Sequence, residues 1–277
     1  MNDSPRTREH LDKIRRRDGM YRVAVRLASL PVPVMLVLAV AHLVHGSWGT
    51  GRGLGLAALV WGTLSIALVA TALAVPAALG AALAARHTFA AGSRRWLDAI
   101  LSGLSALPMV VLGFLFASQV GPALALTWGT PSLAPGLAGI AMATAMLPVL
   151  WKRFQDALDE VPSELTHGAI ALGARPGRVL LGFELAAAFP ALLRALATAF
   201  ARACGESVVV LMVSGNFASA WGGSAGAASL GASLLVLAPE AAPGSPEWVD
   251  VHRIALVLLA LCVGVHALGR VAEEKIR

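Results

Sequence analysis

Four polar side chains recur at intervals of four through an otherwise apolar stretch: Arg194, Thr198, Arg202 and Glu206. On a helix, steps of four keep successive side chains on roughly one face, drifting by about 40° each time. Arg202 and Glu206 have the spacing of an ion pair. Ionisable groups among apolar neighbours are expensive to hold, so they face a protein interior or an aqueous path. The chemistry open to an arginine there is anion recognition, because its guanidinium donates two parallel hydrogen bonds to an oxyanion and never loses its charge. A carboxylate beside it would hold the arginine when the anion is absent. The same pair reads equally well as a structural lock between helices. Arg194 is close enough to the end of the stretch to snorkel.

A second group lies upstream, in the run Val161 to Ala174, which includes Glu164, His167, Gly168, Ala169, Leu172 and Gly173. Pro162 and Ser163 are suited to starting a short helix. Gly168 and Ala169 would let another surface approach closely, and Gly173 would end the helix in a left-handed cap. A short, smooth-faced helix of this kind suits docking into a groove on a partner protein.

The elements that must position these groups are apolar helices. Of 277 residues, 57% are hydrophobic and 14% charged, against about 25% charged in a soluble domain. The mean hydropathy is +0.72, a surplus that a single water-soluble core cannot hide. Lipid is the solvent it implies. A membrane span needs about 20 apolar residues, and six candidates fall near 23–44, 55–85, 99–120, 133–151, 188–213 and 251–270. Pro76 is a kink point in the second. The net charge of +6 sits in short runs between these stretches. No basic stripe is interleaved with aromatic residues, so nucleic-acid binding is not expected. Arg15, Arg16, Arg17, Arg86, Arg94, Arg95, Lys152, Arg153, Arg175, Arg178, Arg270 and Lys275 fall on one side of the predicted bilayer; the other side holds little beyond Arg52 and Arg253 among its basic residues, with Glu240, Glu247 and Asp250 clustered there. The positive-inside bias predicts both termini in the cytoplasm.

The expected organisation is a basic cytoplasmic tail over 1–22 and a transmembrane domain over 23–277, with a long charged loop at 152–187. That loop exceeds a simple connector and predicts a docking element. The apolar stretch Ala227 to Ala238 is too short to span and predicts a re-entrant or interfacial helix. His42, His45 and His87 read as interfacial residues, and Trp48, Trp61, Trp96, Trp128, Trp151 and Trp248 as markers of membrane depth. Cys204 and Cys262 lack CxxC spacing and read as small buried hydrophobes. No GxxxxGK[ST] phosphate loop is present, and no metal or catalytic cluster is expected.

On these residues the chain resembles the inner-membrane permeases of binding-protein-dependent ABC importers. Their cytoplasmic motif, Glu-Ala-Ala, three residues, then Gly, is matched by His167, Gly168, Ala169 and Gly173; Phe183, Glu184, Leu185 and Ala186 stand where the later apolar-Leu-Pro element falls. His167 replaces the usual Glu and Ala186 the usual Pro. The run from Arg202-Ala203-Cys204-Gly205-Glu206-Ser207 to Ser214-Gly215-Asn216 is similar to the phosphate-specific permeases, closer to the PstC type than to PstA. Gly103 to Gly113 echoes a further stretch of that family, and the resemblance covers about residues 55–270.

The resemblance implies an all-α polytopic fold of about six transmembrane helices in the bacterial inner membrane. It implies that 163–174 is the coupling helix held by an ATPase subunit, that Arg202 and Glu206 serve phosphate passage, and that this chain binds no cofactor. ATP would be used by separate ABC ATPase subunits. The other partners implied are a second permease, a sibling or a copy, a periplasmic phosphate-binding protein, and membrane lipid. The alternatives are cargo of another kind, such as sulfate or an organic solute, or a non-transporting scaffold or sensor on the same fold.

Overall fold

The computed structural model describes residues 31–51, 55–129, 132–215 and 228–276. The basic tail, the start of the first predicted span, Arg52 and Asn216 lie outside the described residues. Within them the chain is helical and contains no strand. The main elements are α1 (Pro31–Gly46), α2 (Leu56–His87), α3 (Ala91–Ser105), α4 (Met109–Trp128), α5 (Pro135–Asp159), α6 (Ser163–Ala171), α7 (Leu185–Gly205), α8 (Val208–Val213), α9 (Leu230–Leu237) and α10 (Pro246–Ile276). Among the described residues, five stretches are long and apolar enough to cross a membrane: α2, α4, α5, Gly177–Gly205 and α10. The 16 described residues of α1 fall short of the about 20 that a span needs.

Small residues bring the central helices together. Ala67, Ala70, Ala74, Ala78, Ala82 and Ala85 form a buried stripe along α2, and α2 with α5 is the most extensive helix pair. Lipid tails are as apolar as leucine, so helices in a bilayer gain little by hiding apolar surface from them. Close backbone approach and dispersion decide the pairing instead. Gly139 of α5 shows the same logic, since a Cβ there would overlap the Val69 side chain. Gly269 of α10 meets Ala197 of α7 in the same way. Met142, Met146, Leu150 and Phe154 on α5 fill the remaining core.

Several boundaries differ from those read in the sequence. The third predicted span begins later, at Met109, because Pro108 separates it from α3. Proline lacks an amide proton and biases its predecessor away from helix. α3 becomes a separate short helix carrying Arg94, Arg95 and Asp98. The fifth span stops at Gly205 rather than running to 213, and α8 follows as a separate turn. α2 runs through Pro76 as one element. The short apolar helix expected near 227–238 is present as α9, capped by Ser229 Oγ, which accepts from Ala232 N at 3.2 Å.

At one end of the bundle, α1 is tied to α10. Arg253 donates to Ser47 O at 3.2 Å and to Gly49 O at 2.8 Å. His42 meets Trp248 and His252 edge-on. His42, exposed on α1, thus also takes part in packing α1 on α10.

Candidate functional site

The break at the end of α7 sits beside the midpoint of α10. Cys262, near the middle of α10, donates its thiol to Ala201 O at 3.5 Å, and a Cβ on Gly205 would lie 3.6 Å from Cys262 Sγ. Here the chain leaves the helix: Glu206 takes φ −75° and ψ 130°. Its carboxylate then caps the next element, Oε1 accepting from Val208 N at 3.1 Å and from Val209 N at 3.5 Å. These are two of the amides that a helix start leaves unpaired. Gly231 of α9 packs directly on the break, where any side chain would strike Ser207 Oγ. Irregular backbone at membrane depth persists only where protein buries it or where it lines an aqueous cavity.

This geometry corrects the expected ion pair. Glu206 lies past the last turn of α7, so it is not the next rung of a continuous helical face. No Arg202–Glu206 bridge is present; the carboxylate is engaged with backbone. Arg202 is exposed on α7, and among the described residues its guanidinium has no hydrogen-bond or ion-pair partner. The other two rungs are committed elsewhere. Thr198 donates its hydroxyl to Arg194 O at 2.9 Å within its own helix. Arg194 Nη1 lies 3.3 Å from Glu273 Oε1 on α10, which makes it a strut between two helices rather than a snorkelling residue.

The second site is at the end of the bundle where α2, α5, α6 and the start of α7 meet. α6 begins after Pro162 and ends in a six-to-one cap: Ala174 N donates to Ala169 O at 3.0 Å and Gly173 N to Ile170 O at 2.9 Å. Gly173 has φ +84°, the left-handed conformation that glycine reaches without a Cβ clash. Ala169 turns inward and is buried. Glu164 and Gly168 are exposed, and a Cβ at Gly168 would meet nothing within 4 Å. Leu172 at the tip is 90% exposed. His167 lies within α6. The outer side of the helix is thus uncovered around Gly168, Ile170 and Leu172, with Glu164 exposed near its start.

The residue that ties α6 to the bundle is Glu184, which the sequence places in a motif match but gives no partner. Glu184 is 1% exposed and ends a five-residue π-turn, Leu180–Glu184, that leads into α7. Such turns are rare and concentrate at functional positions. Its Oε1 accepts from Thr166 Oγ1 of α6 at 3.0 Å, and its Oε2 accepts from His87 Nε2 at the end of α2 at 2.8 Å. Arg86 Nε lies 3.5 Å from the same Oε2, while Arg86 Nη1 reaches Asp159 Oδ1 of α5 at 2.8 Å. One buried carboxylate therefore joins α6, α2 and α7, and Arg86 extends the link to α5. Arg86, expected on the basic side of the bilayer, and His87, expected at its interface, are both members of this network. The available signal was a lone acidic residue inside an apolar run, which demands a partner.

No family model matches the chain. It is 26% identical over 231 residues to the probable ABC transporter permease protein YqgH of Bacillus subtilis, covering 77% of this chain and 75% of that one. It is 28% identical over 185 residues to the phosphate transport system permease protein PstC 1 of Mycobacterium tuberculosis, covering 60% of this chain and 55% of the relative. Against the probable sulfate transport system permease protein cysT of Nephroselmis olivacea it is 33% identical over 166 residues, 56% of each chain. Among solved structures, an inward-facing MetNI methionine ABC transporter aligns with TM-score 0.63 at 19% identity, over 80% of this chain and 96% of that one. The fold is that of an ABC importer permease. The chain spans little more than half the length of the PstC 1 and cysT relatives. These relatives are transport permeases named for different cargoes, phosphate and sulfate among them. α6 lies outside the long apolar spans, tied to the bundle through Thr166 and bare around Gly168 and Leu172. Arg202 is the exposed cation at a mid-bundle break.

Proposed function

We propose that this chain is the membrane-spanning subunit of an ATP-driven importer of an oxyanion, with inorganic phosphate as the first candidate cargo. The observation that carries the reading is the uncommitted guanidinium of Arg202 beside the interrupted helix at the midpoint of α10. A fully charged fork with five donors and no internal acceptor matches a tetrahedral anion in charge and geometry. Because Glu206 caps α8, Arg202 has no carboxylate to release before it engages cargo. The phosphate assignment is supported by the similarity to the phosphate permease PstC 1; the cysT relative supports sulfate as the competing cargo.

In the proposed cycle a periplasmic receptor delivers the anion, and paired ATPase subunits in the cytoplasm hold α6 by its bare outer face, around Gly168 and Leu172. Their closure moves α6, and Glu184 passes that movement to α2 and α7. The permease alternates between access to the two sides because ATP and cargo each bind the two states with different affinity. A second permease, a copy or a sibling, completes the path. Both chain ends lie on the cytoplasmic side, in keeping with the distribution of basic residues.

The test is uptake of labelled phosphate, with sulfate in parallel, by cells carrying Arg202→Ala as their only copy. Uptake should fall by about a hundredfold, the scale of losing a charge-assisted contact to the cargo, while the protein stays in the membrane at normal level. Arg202→Lys should also be impaired, since an ammonium cannot present a two-pronged donor. Normal uptake of both anions in Arg202→Ala overturns the reading, and loss of sulfate uptake alone reassigns the cargo.

A further inference from the structure

At the same end of the bundle as α6, between α3 and α5, lies a cleft of about 790 Å³, within the range of small-molecule sites. None of the residues given a role in transport above lines it. Three cations do, Arg94, Lys152 and Arg153, against two carboxylates, Asp98 and Asp156. Both carboxylates are already engaged. Asp98 Oδ1 accepts from Trp151 Nε1 at 2.8 Å, and Asp156 Oδ1 pairs with Lys152 Nζ at 2.9 Å. The guanidinium groups of Arg94, half-buried, and of Arg153 have no partner among the described residues.

The wall of the cleft holds one more unmet group. Gln155 is 6% exposed, and its side-chain nitrogen is buried without a hydrogen-bond partner. Buried polar groups are almost always paired, so an orphan amide beside a cavity points to an acceptor that belongs there. The unmet groups around this cleft are donors, and the net charge is positive. A metal cation would meet two unpartnered guanidinium groups, and an apolar ligand would leave three polar groups unanswered. An acceptor-only anion with several oxygens answers all of them.

We infer that this cleft binds a phosphate-class oxyanion, held by Arg94 and Arg153 with the Gln155 amide as a further donor. The anion has two possible sources with the same chemistry, free phosphate or the headgroup of an anionic lipid. Trp96 and Ile100 on α3 are 73% and 58% exposed, an apolar flank that sets the cleft beside lipid. Bound in this cleft, the anion would bridge α3 and α5, which the Trp151–Asp98 hydrogen bond already joins.

The test uses the purified full chain with Arg202→Ala in place, so that an anion in the proposed transport path does not contribute and failure here is separate from failure of the transport reading. In nanodiscs of phosphatidylcholine, inorganic phosphate titrated by calorimetry should bind in the millimolar range or tighter. Adding Arg94→Ala with Arg153→Ala should weaken it at least tenfold, and Gln155→Leu severalfold, with thermal unfolding confirming that each variant is folded. In nanodiscs containing phosphatidylglycerol, native mass spectrometry reads the other source. A retained lipid that is lost in the double variant assigns the site to a headgroup. Absence of both phosphate binding and a retained lipid, or binding unchanged by the three substitutions, overturns the inference.

Discussion

The two ends of α7 are built on opposite plans. At its start, Glu184 is 1% exposed and answered by Thr166, His87 and Arg86 from two other elements. At its finish, Arg202 is exposed and answered by nothing among the described residues, while Glu206 turns its carboxylate to the backbone of the next helix. A buried carboxylate with this many donors resists being moved apart from them, because separation leaves charge unpaired in a low-dielectric interior. That suits a joint through which force passes. An unpaired guanidinium has its donors available, which suits contact with a passing anion. The same helix carries the push at one end and meets cargo near the other.

The largest effect that would sharpen this contrast is expected at the joint. Glu184→Ala strands Arg86 and His87 and frees Thr166. It should destabilise the protein by about 2–3 kcal/mol, less than a fully buried pair would lose because Arg86 and His87 reach solvent. In the assembled transporter it should also raise the ATP hydrolysed per anion moved, which a merely structural residue would not do. A lower unfolding temperature with an unchanged ATP-to-anion ratio would reduce Glu184 to a structural tie. Glu184→Gln, which keeps an acceptor for Thr166, should recover part of both losses.

A smaller effect is expected at the break. Glu206→Ala removes a cap from α8 and should cost about 1 kcal/mol of stability, with uptake reduced less than tenfold. If uptake falls as far as in Arg202→Ala, Glu206 acts on the cargo or on Arg202, and the two ends are less different than the structure makes them.

How much of this could be read in advance follows from the range of each interaction. The spans were legible because hydropathy is a local sum over about 20 residues, and α6 was legible because Pro162, Gly168 and Gly173 act within their own turn. The break after Gly205 was not. Helical spacing extrapolated through Glu206, whereas the chain there answers to Gly231 of α9, which packs on Ser207. The role of Glu184 was not legible for a related reason. Its partners Arg86 and His87 are about a hundred positions away, and no local pattern links them. Trp151, read as a marker of membrane depth, is buried and bonded to Asp98 of α3, a contact set by how α3 folds back on α5. Charges that meet across the fold announce only that a partner is needed.

The most direct test of the account is the reach of solvent to position 202. Arg202→Cys, in a background with Cys204 and Cys262 replaced by serine, would be treated with a small cationic thiol reagent in membranes held with and without ATP. Modification should proceed in at least one nucleotide state, and the ammonium it adds should restore part of the lost anion uptake. A thiol at 202 that stays sealed in every state, or that reacts without any recovery of uptake, would contradict the assignment of Arg202 to the anion path.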